Sequence, residues 1–149
     1  MITPQAGQWA LDLGAGHGWL ARYLAQWGYR TVAVDLNVAG PDSLAGARVY
    51  LEQAGVWFGR VQASMERPPF AAATFALCTV SGALHYADLR PTLAAIAHLL
   101  APGGRVIITD SPVYTTAAAG QAMVRERSAA ARAQFGAAPE WPGGTGFLV

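Results

Sequence analysis

Short apolar runs alternate along the chain with segments whose apolar residues recur every three or four positions. This alternation predicts βαβ units around a mainly parallel sheet. Trp9 to Leu13 reads as a first strand. Trp19, Leu20, Tyr23, Leu24 and Trp27 form one stripe at helical spacing, and Gly28 suits the end of that helix. Arg30 to Leu36 reads as a second strand, and Pro41 and Asp42 open a second helix carrying Leu44, Ala47, Tyr50 and Leu51 that Gly55 closes. Trp57 to Gln62 is a third strand interrupted by Gly59, and the stretch from Met65 to Ala73, broken by Pro68 and Pro69, is a loop or short helix. Phe75 to Val80 is a fourth strand. Asp88 is placed to cap a helix with Leu89, Leu93, Ile96 and Leu100 on one face. Residues 101–104 read as a turn, Val106 to Thr109 as a fifth strand, and a last helix runs from about Thr116 to Gln134, ended by Gly136. The expectation is one α/β domain over residues 1–149, doubly wound, with a mainly parallel sheet of about five strands and helices on both faces.

Composition narrows the class. Of 149 residues, 53% are hydrophobic and 13% charged, against roughly 25% charged in an ordinary soluble domain. Much of the excess is alanine, and no run approaches the ~20 apolar residues of a membrane helix. The N-terminus lacks the basic-then-apolar pattern of a signal peptide. A net charge of +1 gives no global case for nucleic acid. Cys78 is the single cysteine, so no internal disulfide is expected; in an apolar run it reads as a small buried side chain in a protein of the cytoplasm. His17, His85 and His98 are scattered and predict no metal site.

The informative segment is Ala10-Leu11-Asp12-Leu13-Gly14-Ala15-Gly16-His17-Gly18-Trp19-Leu20, a strand running straight into Gly-x-Gly-x-Gly and then a helix. Glycines permit the tight turn and a close approach of backbone to a ligand, which the free N–H groups at the helix start then face. Asp35 follows Gly14 by 21 residues at the tip of the second strand, the place from which an acid binds ribose hydroxyls in doubly wound folds. A dinucleotide fingerprint would need its third glycine where Trp19 stands. Asp12, at the strand mouth, would repel a pyrophosphate but suit a cationic ligand, and a cap or ion pair is its alternative role.

These residues resemble motif I of the class I S-adenosylmethionine-dependent methyltransferases, and the resemblance continues in order to about Asp110. Val32-Ala33-Val34-Asp35 is similar to the family's ribose-binding motif. Val61 to Glu66 with Pro69-Phe70 resembles its adenine-reading segment, Phe75 to Val80 with Ala83-Leu84-His85-Tyr86 its fourth strand and the loop beyond, and Leu99-Leu100-Ala101-Pro102-Gly103-Gly104 its turn before strand five. The closest subgroup resembles the type 11 enzymes, which are similar to quinone-biosynthesis methyltransferases. The resemblance implies that Asp12, Gly14, Ala15, Gly16, His17, Asp35, Leu36, Ser64, Met65 and Ser81 hold S-adenosylmethionine, and that the protein methylates a small molecule. Two departures bear on affinity: Ser64 stands where the family usually has Asp, and Ala76 where an acid is common.

Methyl transfer needs orientation above all, worth roughly 7–11 kcal/mol, and for an oxygen acceptor a base near its proton. His85 and Asp110, beyond strands four and five, are the catalytic candidates, with an ordinary loop role as the alternative for His85 and a cap of the turn before Pro112 for Asp110; Tyr86 and Tyr114 are the substrate-lining ones. Arg125, Glu126, Arg127 and Arg132 read as a solvated helix face, with a patch for an anionic substrate as the alternative. The chain reaches Gly146-Phe147-Leu148-Val149 where the family's sheet would begin a further strand, so a truncated form, or a domain completed by a partner copy as a homodimer, is expected. Two other readings stand beside the enzyme: a non-catalytic or incomplete cofactor-binding domain, and a nicotinamide or flavin oxidoreductase.

Overall fold

The computed structural model describes residues 7–141 and 143–149. In chain order the elements are β1 (Trp9–Leu13), α1 (Trp19–Gln26), β2 (Arg30–Asp35), α2 (Arg48–Ala54), β3 (Gly59–Gln62), β4 (Phe75–Ser81), a 3-10 turn at Leu84–Tyr86, α3 (Leu89–Leu99), β5 (Leu100–Thr109) and α4 (Ala117–Phe135). The strands pair in the order β3-β2-β1-β4-β5, all parallel. The chain winds outward in one direction from β1 to β3 and in the other from β4 to β5. The switch therefore falls between β1 and β4, and a crevice opens at their carboxyl ends, where open α/β sheets bind ligands.

Side-chain alternation divides the sheet into two unlike faces. Leu11, Leu13, Val32, Val34, Cys78 and Val80 form the large face with Ile96 and Leu99 of α3. The opposite face carries small residues, Ala10 and Ala33, against Ala21 and Leu24 of α1. Ala21 and Leu24 are the buried side chains of α1, and its aromatic stripe turns outward. Trp19, Tyr23 and Trp27 are 44, 39 and 62% exposed, and of the helical stripe only Leu24 is fully buried.

Three expectations shift. Residues 41–47 are turns rather than the start of α2, because the buried Ser43 hydroxyl donates to the Gly40 carbonyl at 2.7 Å and accepts the Ala45 N–H at 3.1 Å. In α3, capped by Asp88 through the Arg90 N–H, the buried side chains are Thr92, Ile96 and Leu99; Leu93 faces solvent and Leu100 already belongs to β5. The 101–104 turn is a bulge inside β5: Phe75 pairs with Leu100 but Leu77 with Arg105. β5 is an edge strand, and Val106, Ile107 and Ile108 are exposed on it.

The last residues fold back across the top of the sheet. The Gly143 and Gly146 N–H groups donate to the carbonyls of Tyr86 and His85, each at 3.0 Å, and Leu148 N–H to Pro112 O at 2.8 Å. Where a new sheet strand was expected, Leu148 instead makes one isolated parallel bridge to Val113. Phe147 is buried against Gly120 of α4, whose Arg125, Glu126, Arg127 and Arg132 are exposed as expected. Among the described residues no helix is long and apolar enough to cross a membrane.

Candidate functional site

The turn after β1 is built from left-handed glycines, with φ of +68° at Gly14, +53° at Gly16 and +76° at Gly18. Its first two N–H groups, of Gly14 and Ala15, donate to the Val34 carbonyl at 2.8 and 3.0 Å, tying the turn to β2. A Cβ on Gly14 would run into the Cβ of Ala83, so the loops after β1 and β4 approach as closely as backbone allows.

Asp35 closes the turn from the tip of β2. Its Oδ2 accepts the Gly16 N–H and its Oδ1 the Asn37 N–H, both at 2.8 Å. An ionised carboxylate offers about four acceptor sites, so two bonds fix its orientation and leave capacity toward the cleft that Asp35 lines. Asp12 behaves differently from expectation. It is 2% exposed and does not line the cleft. Its Oδ1 accepts the Thr79 hydroxyl at 2.7 Å and its Oδ2 the Ala21 N–H at 3.1 Å. The capping role replaces the ligand-facing one because position 12 points to the α1 face of the sheet, between Ala10 and the helix start.

The cleft at the switch point measures about 680 Å³, within the usual range for small-molecule sites. Of the expected cofactor residues, Gly14, Gly16, Asp35, Leu36, Ser64 and Met65 line it. Ala15, His17 and Ser81 do not: Ala15 packs in the α1-side core, His17 lies 6.1 Å from the Tyr50 ring, and Ser81 donates to Asp110 Oδ2 at 2.9 Å. The Ser64 hydroxyl accepts the Glu66 N–H at 3.2 Å, and Glu66 Oε1 accepts the Asp88 N–H at 3.0 Å, which fixes the loop after β3 against the start of α3.

Beyond the glycine turn, Tyr86 lines the cleft with Gly82, Ala83 and Ala87. His85, expected at the substrate, is buried behind Tyr86 instead, with ring centroids 4.3 Å apart and its Nδ1 3.4 Å from the Ser111 hydroxyl. Burial, helped by the charge of Arg127, lowers its pKa. Asp110 is exposed, in a left-handed conformation (φ +58°) beside Gly82, and is outside the cleft lining. Tyr114 packs edge-on against Phe147, 6.1 Å away, and does not line the cleft either.

Sequence reasoning missed Asn37, Asp42, Glu66, Glu140 and Gly143 in the cleft wall. Glu66 stood within the adenine-like motif and carried a signal. Glu140 and Gly143 carried none, since only the return of the chain end brings them there. Among the described residues the wall holds four carboxylates (Asp35, Asp42, Glu66, Glu140) and no arginine or histidine, and no three metal-ligating side chains cluster.

A strand order reversing at β1/β4, a left-handed glycine turn and an acid at the tip of β2 define a Rossmann-like, doubly wound nucleoside-binding fold. The chain belongs to the type 11 methyltransferase-domain family, whose model matches residues 11–108. It is 33% identical over 109 residues to a ubiquinone biosynthesis O-methyltransferase of Xylella fastidiosa (72% of this chain, 43% of that protein). It is 36% identical over 110 residues to a dimethylglycine N-methyltransferase of Parasynechococcus marenigrum (72% and 38%). Phosphoethanolamine N-methyltransferase 2 of Haemonchus contortus, solved with S-adenosyl-L-methionine, matches with a TM-score of 0.60 at 28% identity, over 70% of this chain and 24% of that one. The chain thus spans about two-fifths of the curated relatives' length. The family match sets aside the nicotinamide or flavin reading. S-adenosylmethionine is the cofactor of this class, and the acidic wall and free Asp35 acceptor sites fit its cationic, ribose-bearing structure.

Proposed function

We propose that this chain holds S-adenosylmethionine in the switch-point cleft and transfers its methyl group to a small-molecule acceptor. The observation that carries this reading is Asp35, oriented by the Gly16 and Asn37 N–H groups with acceptor capacity left over beside a glycine turn. Asp35 binds the ribose hydroxyls. Leu36, Ser64 and Met65 flank the adenine, with the Ser64 oxygen and the Met65 N–H as its polar contacts. Gly14 and Gly16 let backbone meet the aminoacyl end. The bound cofactor supplies a methyl group on positive sulfur. The residues beyond it set where an acceptor lies, and that alignment is the main source of rate in an in-line displacement. Tyr86 faces the acceptor from the cleft wall, His85 sets the Tyr86 ring from behind, and Asp110, held by Ser81, stands at the margin.

Calorimetry with S-adenosylmethionine and S-adenosylhomocysteine tests this. We expect binding by the 149-residue chain and an affinity loss of about tenfold or more in Asp35→Ala, equivalent to about 1.4 kcal/mol. No heat from a folded sample rejects it.

A second reading is an incomplete domain that works only beside a partner copy. The exposed apolar edge of β5, Val106 to Ile108, favours it. It predicts a homodimer by light scattering and cofactor binding that rises with protein concentration. Methyl transfer by the monomeric 149-residue chain would reject it.

A further inference from the structure

We propose that Glu66 makes the cleft selective for the adenine amino group, by taking the Ser64 proton and so holding the Ser64 oxygen as an acceptor; the inference deepens the cofactor-binding reading above and rests on it.

Ser64 and Glu66 both line the cleft and are half-buried. Two contacts join them. The Glu66 N–H donates to Ser64 Oγ at 3.2 Å, and the same Oγ lies 3.5 Å from Glu66 Oε2. A carboxylate has no proton to give, so the serine is the donor in the second contact. That contact is long, but a hydroxyl rotor beside a full negative charge turns its hydrogen toward the charge. The other carboxylate oxygen is committed elsewhere. Glu66 Oε1 accepts the Asp88 N–H at 3.0 Å, and a Cβ on Gly143 would come within 2.9 Å of it. The start of α3 and the chain end thus fix the carboxylate with Oε2 on the Ser64 side. Among the described residues the cleft wall has no arginine or histidine to draw that oxygen away.

A hydroxyl has one hydrogen and two lone pairs. At Ser64 the hydrogen goes to Glu66 Oε2 and one lone pair to the Glu66 N–H. One lone pair is left for the cleft. A freely turning serine offers either its hydrogen or a lone pair, and suits a donor or an acceptor on the base equally. A serine held in this way can only accept, and an exocyclic amine needs an acceptor. Glu66 is therefore a positioning residue that acts through Ser64. It gives a neutral side chain the acceptor-only character that a carboxylate at position 64 would have.

The test is calorimetry on the full chain with S-adenosylhomocysteine and with its 6-deamino analogue, which carries purine in place of adenine and keeps N1. The affinity ratio reads the amino group alone, since general damage to the site weakens both ligands together. We expect a ratio of about tenfold or more in wild type. In Glu66→Gln the amide oxygen can keep the Asp88 N–H while the NH₂ donates to Ser64 Oγ. That turns the serine hydrogen into the cleft, and the ratio should fall to about threefold or less. Ser64→Ala should lower it as far, and Glu66→Gln added to Ser64→Ala should change it little further. A wild-type ratio near one overturns the proposal. Weaker binding of both ligands by Glu66→Gln at an unchanged ratio also overturns it, since a mere tether between loops gives that result. An equal effect of Glu66→Gln with and without the Ser64 hydroxyl overturns it too, because Glu66 would then touch the amine itself. Where Glu66→Gln does not fold, the Ser64→Ala ratio decides, and an unchanged value overturns the proposal. Failure of the wild-type chain to bind S-adenosylhomocysteine at all overturns the cofactor reading itself.

Discussion

Thr79 donates its hydroxyl to Asp12 Oδ1 across 2.7 Å, joining the middle strands β4 and β1 beneath the glycine turn. The other oxygen of the same carboxyl takes the Ala21 N–H from the first turn of α1. One buried group thus couples both sides of the switch point to the helix that follows the turn. Burial raises its pKa to about 7, against the opposing pull of the Thr79 and Ala21 hydrogen bonds and with a small upward push from the Asp35 charge.

A carboxyl whose pKa lies higher in the folded state than its ordinary 3.8 keeps a proton that the unfolded chain gives up. Its contribution to stability is complete below about pH 4, declines as pH rises toward 7 and is level above that. Asp12→Asn removes the titration. Its amide N–H can donate to the Thr79 oxygen while its carbonyl accepts the Ala21 N–H. Three pKa units set a ceiling of about 4 kcal/mol, so we expect the variant to exceed wild type at pH 8 by about 1–4 kcal/mol and to match it near pH 4. Urea denaturation at pH 4, 6 and 8 measures this. A difference that widens toward acid would rule out the assignment.

Cys78 lies wholly buried in β4, and burial pushes its thiol up to about 12. With so little thiolate, the folded protein should not react with a disulfide reagent at pH 8, and one equivalent should react in guanidinium. Stoichiometric modification of the native protein within minutes would show that this strand opens far more readily than its packing implies.

The parts of the site legible in the sequence are those fixed by local geometry. Strand, glycine turn and helix succeed one another within a dozen residues, and the tip of β2 lies beside the turn because β1 and β2 pair in register from Trp9–Arg30 to Leu13–Val34. Spacing alone therefore placed Gly14, Gly16 and Asp35. Asp12 was harder. Its neighbours in the sequence suggest a ligand-facing acid, while its direction is decided by Thr79 and Ala21, 67 and 9 residues away. The α1 stripe shows a related limit. Helical spacing identified the element, but which face turns inward is decided by the sheet it meets: Ala21 and Leu24 pack with the alanines of β1 and β2, and Trp19 and Trp27 stay exposed. Glu140 and Trp141 reach the site through backbone bonds of the chain end to His85 and Tyr86, contacts that no periodicity encodes.

Gly14 and Gly28 both have positive φ, +68° and +101°, but their surroundings differ. Around Gly28 an added Cβ would meet nothing within 4 Å. At Gly14 it would collide with the Ala83 side chain and come within 3.2 Å of the Met65 sulfur. Gly28→Ala should therefore cost about 1–2 kcal/mol, the strain of a left-handed backbone alone. Gly14→Ala should cost about 1–3 kcal/mol more through overpacking, with loss of S-adenosylhomocysteine binding as the two loops separate. If the Ala83 methyl is the obstruction, adding Ala83→Gly to Gly14→Ala should restore about 1 kcal/mol or more and part of the cofactor affinity, a coupling that sites out of contact would not show. Denaturant unfolding and calorimetry on the four proteins of that cycle read both effects. Strict additivity would mean that the loops after β1 and β4 do not meet where the switch-point cleft requires them to.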